Sequence, residues 1–444
     1  MSLVLRYVFA FISSMCVAPV LLGQGAPSAQ TTGSATAGPI SLTLPDALSR
    51  AKANSPQFQA AVTDLGLARE DRLQARAGLL PGVNYGNSFI YTQGNGTASG
   101  VFIANNGVHE YISQGIVHEA VGPTEIANYQ RATAALALAR ARSEIAIRGL
   151  VVTLVQSFYG YIAAQNRTVT AQQLLNEAQG FLANTQKLEQ GGEVAHSDVI
   201  KAQIQADDLL RARDQAKLAE QSAKLTLAVL LFPNFFQDFT LVNDLGTVPP
   251  LPPMTSIEQL AEKNNPELKA AYAALGVANK GVSVALAGYL PSLSVDTFYG
   301  IDANQFAAYN REGARNLGYA AAATLNIPVW NWGATQSKVR QAQLQRNLAK
   351  VELSAAQRQA VADLQQFYAE AETARGHLDL LHKTADLAGE SLRLTTLRYQ
   401  AGEATALEVV DAQNTLSSAR NNLDDGETRY RVALANLQTL TGSF

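Results

Sequence analysis

The chain matches itself at a spacing of 210 residues, so whatever it folds into must be built from two similar halves. Ala51-Lys-Ala-Asn54-Ser-Pro56 aligns with Ala261-Glu-Lys-Asn264-Asn-Pro266, and Ala77-Gly78-Leu79-Leu80-Pro81 with Ala287-Gly288-Tyr289-Leu290-Pro291. Gly192-Glu193 and Val199-Ile-Lys-Ala202-Gln203 align with Gly402-Glu403 and Val409-Val-Asp-Ala412-Gln413 at the same spacing. Phe158-Tyr159 and Phe367-Tyr368 are 209 apart, a one-residue slip that is later recovered. Pro249, Pro250, Pro252 and Pro253 cannot continue a helix and mark the boundary. The expected organisation is a first structural repeat over 45–240, a proline-rich linker over 241–255 and a second repeat over 256–444.

Each half reads as helix, strand pair, long helix and shorter helix. Pro45 opens a helix expected to run to about Gly78, where Leu80-Pro81 stops it. In the second half Ser256 is the expected N-cap and Leu290-Pro291 the matching stop. The period then changes to two: Val83, Tyr85, Phe89 and Tyr91 alternate with polar residues, and Leu293, Val295, Tyr299 and Ile301 do so in the same phase. Return strands are expected at 319–329 and, with weaker alternation, at 110–118, with the polar loops 93–107 and 304–316 between strands. The stretches 124–187 and 335–399 are rich in Ala, Leu, Gln, Glu and Arg and hold no proline, so each is expected to be one helix ~100 Å long. A turn follows each, Gly191-Gly192-Glu193 and Ala401-Gly402-Glu403, and then a returning helix of ~35 to 40 residues.

The N-terminus has one positive charge at Arg6, an apolar run from Tyr7 to Leu22 and small residues after it, the layout of a secretory signal peptide over 1–25. A Gly/Ser/Thr/Ala-rich linker over 26–44 follows, and Cys16, the one cysteine, falls inside the signal. The remainder has no uninterrupted apolar run long enough for a spanning helix, so entry into a membrane would require a closed β-barrel. A net charge of −3 offers no excess of cations for a phosphate backbone, which argues against nucleic acid as a partner.

Four strands of ~10 residues with an apolar face have the length of transmembrane β-strands, but the smallest membrane barrels have about eight. An open edge cannot remain in hydrocarbon, so strands from several copies must close one barrel. Three chains would supply twelve strands and bring their long helices side by side as a hollow cylinder, the shape of a conduit.

The duplicated Asn-Pro, the Leu-Pro before each strand pair, and Tyr399-Gln-Ala-Gly402-Glu-Ala-Thr-Ala-Leu-Glu408-Val-Val-Asp411-Ala-Gln413 resemble the TolC-like outer membrane efflux proteins over essentially the whole chain beyond the signal. The resemblance implies a mainly α fold with a β-barrel part: a homotrimer with a 12-stranded barrel in the outer membrane and an α-helical barrel crossing the periplasm. It also implies a periplasmic adaptor protein and an inner-membrane transporter as partners, with drugs, metals or proteins as cargo. A soluble periplasmic coiled-coil scaffold is the alternative, and it leaves the strands unexplained.

By the same resemblance Glu408 and Asp411, three residues apart on one helix face, would form stacked anionic rings at the periplasmic constriction. Their other reading is as N-terminal carboxylates favoured by the helix dipole. Tyr399 and Asp198 match members of a tip gating network, but the basic residue expected with them is replaced by Ala404. Lys201, the first-half counterpart of Asp411, either supplies a cation there or is a solvated helix residue. Gly192, Glu193, Gly402 and Glu403 are expected at the turns where an adaptor docks.

No catalytic signature competes: HExxH, a phosphate-binding Gly-Lys loop and Gly-x-Ser-x-Gly are all missing from the sequence, so neither an enzyme nor a cofactor is expected. His377 and His382 lie ~140° apart on a helix, and His109-Glu110 and His118-Glu119 read as solvated rim residues, so no metal site is expected. Tyr85, Tyr91, Tyr299 and Trp330 fit aromatic girdles at a membrane interface.

Overall fold

The computed structural model describes residues 40–91 and 109–442; the expected signal peptide with Cys16, most of the expected 26–44 linker and the expected 93–107 loop lie outside the described residues. The order of elements is β1 (Ile40–Leu42), α1 (Leu44–Asn54), α2 (Pro56–Ala77), β2 (Gly82–Tyr91), β3 (His109–Val121), α3 (Pro123–Gln190), α4 (His196–Leu231) and β4 (Phe239–Leu241). It continues with α5 (Met254–Asn264), α6 (Pro266–Ala287), β5 (Ser292–Ala303), β6 (Leu317–Asn326), α7 (Ala334–Gln400) and α8 (Ala406–Thr441). The lengths correspond from half to half: 22 residues for α2 and α6, 68 and 67 for α3 and α7, and 36 for α4 and α8.

The opening helix of each half is interrupted, where one continuous helix was expected. Pro56 disfavours the helical region at Ser55, which adopts φ −74°, ψ 116° and caps the next helix by accepting the Phe58 N–H at 3.3 Å. Asn265 before Pro266 does the same, its Oδ1 accepting from Glu267 and Leu268 N–H at 2.9 and 3.1 Å. Asn54 and Asn264, one residue earlier, donate to the Leu231 and Thr441 carbonyls and tie these breaks to the ends of α4 and α8. Ser256 is not a cap. Helix α5 begins at Met254 after Pro253, and Ser256 lies in its first turn, donating its N–H to the Pro253 carbonyl at 3.0 Å.

Helix α3 packs on α2 and α6 in the part nearer the sheet and on α4 and α8 in the part nearer the turns; α7 packs on α6 and α8. The order across the layer is thus α2–α3–α6–α7 at one end and α4–α3–α8–α7 at the other. Buried alanines let the helices approach, among them Ala178, Ala202, Ala206, Ala388, Ala412 and Ala419 around Leu174, Leu392 and Val409. Large buried side chains include Phe158, Tyr159, Leu227, Leu231, Phe239 and Leu245, and the Phe239 ring meets Tyr161 at 5.9 Å and Phe232 at 5.5 Å. Strand β1 pairs with β4 in a two-stranded sheet, the Leu42 carbonyl accepting from the Val242 N–H at 3.0 Å. Two stretches, Pro123–Gln190 and Met254–Ala287, contain windows apolar enough for a membrane span. In the first, 44% of the apolar window is buried, including Leu150, Val151, Leu154, Val155, Phe158 and Ile162, and the second is broken at Asn265.

The four long strands form one antiparallel sheet in the order β2-β3-β5-β6, and the two halves join where β3 pairs with β5. Strand β3 extends from 109 to 121 despite its weak alternation, because both its edges are paired. Strand β6 ends at Asn326, short of the expected 329, before Pro328. The register keeps like parity opposite like: Val83↔Val117, Val117↔Thr297, Leu293↔Leu325 and Tyr299↔Tyr319 on one face, His118↔Asp296 and Gln114↔Gly300 on the other. One face is therefore mostly apolar and aromatic, with Asn87, Ser113 and Glu119 among its polar members, while the other carries Asn84, Glu110, His118, Asp296 and Asp302 beside Ile112, Ile116 and Phe298.

Candidate functional site

The end of the helical layer away from the sheet is formed by two turns of the same design. Gln190 and Gln400 end the long helices, and Gly192 and Gly402 follow at φ +75° and +80°. Glu193 N–H donates to the Leu188 carbonyl and Gly192 N–H to that of Glu189, both at 2.8 Å; Glu403 and Gly402 repeat the pattern to Arg398 and Tyr399 at 2.8 and 3.0 Å. This is the paired bonding of a Schellman motif, and the left-handed residue it needs is glycine in both turns. Glu193 and Glu403 are exposed just beyond.

The returning helices start differently. Thr405 caps α8 in a reciprocal box: its Oγ1 accepts the Glu408 N–H at 3.4 Å, and Glu408 Oε1 accepts the Thr405 N–H at 3.0 Å and its hydroxyl at 3.1 Å. Arg398 Nη1 stands 3.6 Å from Glu408 Oε2, an ion pair across the turn. The bond from the Thr405 N–H, then that from its hydroxyl, then the Arg398 charge hold the Glu408 carboxyl below its ordinary range. In α4 the equivalent cap is Ala195, which offers no side-chain acceptor. Asp198 there pairs with Lys201 at 3.3 Å, and the first turn is spanned by Glu189 Oε1 and His196 Nδ1 at 2.6 Å.

Tyr399 is buried, where the resemblance placed it in a network with Asp198. Its hydroxyl donates to Thr185 Oγ1 at 3.2 Å and its ring meets Phe181 edge-on at 4.8 Å, both on α3. Within one chain, then, the structure brings Glu408 to Thr405 and Arg398, Asp198 to Lys201, and Tyr399 to Thr185. Asp411 is exposed one turn along α8 from Glu408, and Lys201 pairs with its own helix neighbour. Thr185, Arg398 and His196 were missed from sequence. The Thr405-x-x-Glu408 spacing was a readable capping signal, whereas Thr185 and Tyr399 are 214 residues apart with no local sign of contact.

Beside Tyr399 a groove of about 490 Å³ runs between α3 and α7 over α8, lined by Phe181, Leu392, Arg393, Gln413 and Arg420 among others. Glu177 on its wall is pushed up by burial, with Arg420 opposing. Higher on α8, Asp424 and Glu427 are buried carboxylates. Asn166 donates to Asp424 at 3.0 Å, His382 lies 3.3 Å from Glu427, and burial raises both acids. Among the described residues no group of three or more His, Cys, Asp or Glu is arranged to hold a metal ion.

An antiparallel sheet joined to a layer of paired helices ending in two tight turns is a fold shared with solved outer membrane channels. The chain superposes on the crystal structure of the Campylobacter jejuni CmeC outer membrane channel with a TM-score of 0.78, over 90% of this chain and 85% of that one, at 15% identity. Residues 257–443 match the family model described as outer membrane efflux protein. The chain is 24% identical over 415 residues to the alkaline protease secretion protein AprF of Pseudomonas aeruginosa, covering 91% of this chain and 85% of that protein. It is also 24% identical over 420 residues to the outer membrane protein TolC of Vibrio cholerae, covering 90% of each. Residues 257–443 thus carry the outer membrane efflux protein domain, and over about nine-tenths of its length the chain is similar to TolC-like proteins.

Proposed function

We propose that the protein is the outer membrane channel of a tripartite efflux or type I secretion system, closed as a homotrimer and passively conducting cargo delivered by an inner-membrane transporter and a periplasmic adaptor. The observation that carries the reading is that sheet and helical layer are open at corresponding edges. Strands β2 and β6 bound the sheet, while α2 and α4 bound the helical layer on one side and α7 on the other. The helical edges carry exposed apolar side chains at heptad intervals: Ile204, Leu218 and Leu225 on α4, and Leu380, Leu387 and Leu394 on α7. Such edges complement each other head to tail, which supports a closed ring, and the family supplies the copy number of three. In that ring the apolar sheet face meets lipid and the polar face lines the pore.

Asp411 and Glu408 then supply the acidic lining at the periplasmic tip, with Glu408 also capping its helix. Asp198 with Lys201 and Tyr399 with Thr185 set the tip's resting packing, and the turns at Gly192-Glu193 and Gly402-Glu403 are the adaptor-facing surface. The channel carries out no reaction. The test is single-channel conductance of purified protein in a planar bilayer, comparing wild type with Asp411→Asn and with Glu408→Gln plus Asp411→Asn. Discrete cation-preferring steps whose preference falls in the variants support the conduit and its tip. Steps of unchanged selectivity remove the site assignment, and folded protein that never inserts removes the membrane reading.

A further inference from the structure

The chain contains two tryptophans, and both lie in the connector 327–333 between β6 and α7. The corresponding junction of the first half has no such connector: β3 ends at Val121 and α3 starts at Pro123. Trp330 and Trp332 are 74% and 90% exposed, with their rings edge-to-face at 5.9 Å. Ile327 and Val329, exposed at alternate positions after the exposed Leu325, continue the apolar face of β6 beyond its last paired residue. The connector is nonetheless fixed. The Asn331 carbonyl accepts the Ala334 N–H at 3.0 Å, the Asn331 side chain bonds Thr335, and the Ser337 N–H reaches the Gly333 carbonyl at 2.9 Å.

The turn has Trp332 at φ 55° and Gly333 at φ 79°, both left-handed, the conformation of a type I′ turn. Glycine, asparagine and aspartate dominate those two positions because they tolerate it, and a bulky residue there is a real outlier. Trp332 is the one non-glycine residue with positive φ among the described residues, and the side chain held at this cost points away from the protein's own core. Backbone strain of this kind concentrates where a side chain is needed in a particular place.

Next to the pair, Gly288 and Tyr289 at the end of α6 and Thr335 and Gln336 at the start of α7 enclose a recess of about 290 Å³ with Pro328, Trp330 and Asn331. None of its lining side chains is charged. We propose that Trp330, Trp332 and this recess form a binding site for a membrane phospholipid at the periplasmic boundary of the bilayer, taking its ester and glycerol region through uncharged hydrogen-bonding groups beneath an aromatic clamp. The inference rests on the channel reading, which puts the apolar sheet face in lipid. Within it, indole is suited to the boundary, since its ring is apolar and its N–H needs a polar partner. An uncharged recess gives no preference for anionic over zwitterionic headgroups.

Because there are no other tryptophans, intrinsic emission reports on this site alone. Trp330→Phe leaves Trp332 as the sole emitter and Trp332→Phe leaves Trp330. Full-length protein and both variants are reconstituted in phosphatidylcholine vesicles whose acyl chains are brominated near the headgroup or near the methyl end, and co-flotation with the vesicles is scored first. The expected result is loss of most emission with bromine near the headgroup, a smaller loss with bromine near the methyl end, and the same quenching when anionic lipid is mixed in. Quenching by aqueous iodide with none by lipid overturns the proposal, as does stronger quenching from the methyl end. Emission quenched by neither also overturns it, and means that a neighbouring copy covers the pair, since β6 is an edge strand. Failure to float with vesicles defeats the channel reading itself and is distinguishable from all of these.

Discussion

The Tyr399 hydroxyl donates to Thr185 Oγ1 at 3.2 Å, and Thr185 passes the bond on to the Phe181 carbonyl at 2.9 Å, joining the end of α7 to α3 inside an apolar cluster. Tyr399→Phe removes one buried bond and leaves Thr185 its carbonyl partner, a loss of ~1 kcal/mol. Thr185→Val keeps the shape but removes the acceptor of a buried tyrosine hydroxyl, costing ~1–3 kcal/mol. The threonine variant is therefore expected to be the less stable of the two in chemical denaturation. If the tip opens by moving α7 off α3, it is also expected to show the higher open probability in a planar bilayer.

Acid and neutral pH should act at different heights of the helical layer. Glu408 at the tip has its carboxyl below the ordinary 4.5, chiefly through the Thr405 N–H, so its contribution is complete above that value and is lost as pH falls through the folded one. Asp424 and Glu427 at mid-height run the other way. Burial raises them above 3.8 and 4.5, with Arg167 and Arg420 near Asp424 and His382 and Arg431 near Glu427 opposing. The folded state holds their protons longer than the unfolded chain, so they favour the fold in acid and weaken it as pH rises through the raised values. Thermal midpoints measured against pH should show Glu408→Gln flattening the acid arm, and Asp424→Asn plus Glu427→Gln removing the decline toward neutrality.

Leu387 is 59% exposed on α7 and lies midway in a stripe with Leu380 and Leu394. A charge at that position is solvated in a lone chain and buried in a closed ring, where an unpaired carboxylate is strongly unfavourable. Leu387→Glu is expected to leave helix content unchanged by circular dichroism while shifting the detergent-extracted protein from three chains to one by light scattering. A ring that survives this change places the contact edge elsewhere.

Long-period features were legible in the sequence and short-range geometry much less so. The helix pairs and the turns at Gly192 and Gly402 follow from alanine-rich, proline-free stretches ending in glycine, signals strong enough to survive without tertiary information. The breaks at Ser55 and Asn265 were also written there, as Asn-Ser-Pro and Asn-Asn-Pro, but periodicity that continues across a proline conceals a cap. Partner choice at the tip was not legible. Whether Tyr399 meets Asp198 or Thr185 depends on how α7 rotates against α3 and α4, which local sequence does not encode. Replacement of a cap by Ala195 frees Asp198 for Lys201, a difference between the halves that emerges when the two turns are compared residue by residue.

Gly300 lies at a close approach between the two halves of the sheet. It pairs with Gln114 across the β3–β5 junction, and a Cβ added there would collide with the Ser113 carbonyl oxygen and with Gln114 Cα and Cβ. Most of these are backbone-anchored atoms that cannot swing aside, unlike the space beside Gly318 on the next strand, where an added Cβ meets nothing. Gly300→Ala must therefore separate β3 from β5 locally and weaken the one pairing that unites the strands of the two halves. The expected outcome is loss of any multi-chain form on unheated gels and loss of vesicle insertion, with the helical circular dichroism signal retained. Gly318→Ala, at the paired position on β6, is expected to assemble normally, and equal behaviour of the two variants would show that the β3–β5 approach is not what holds the sheet together.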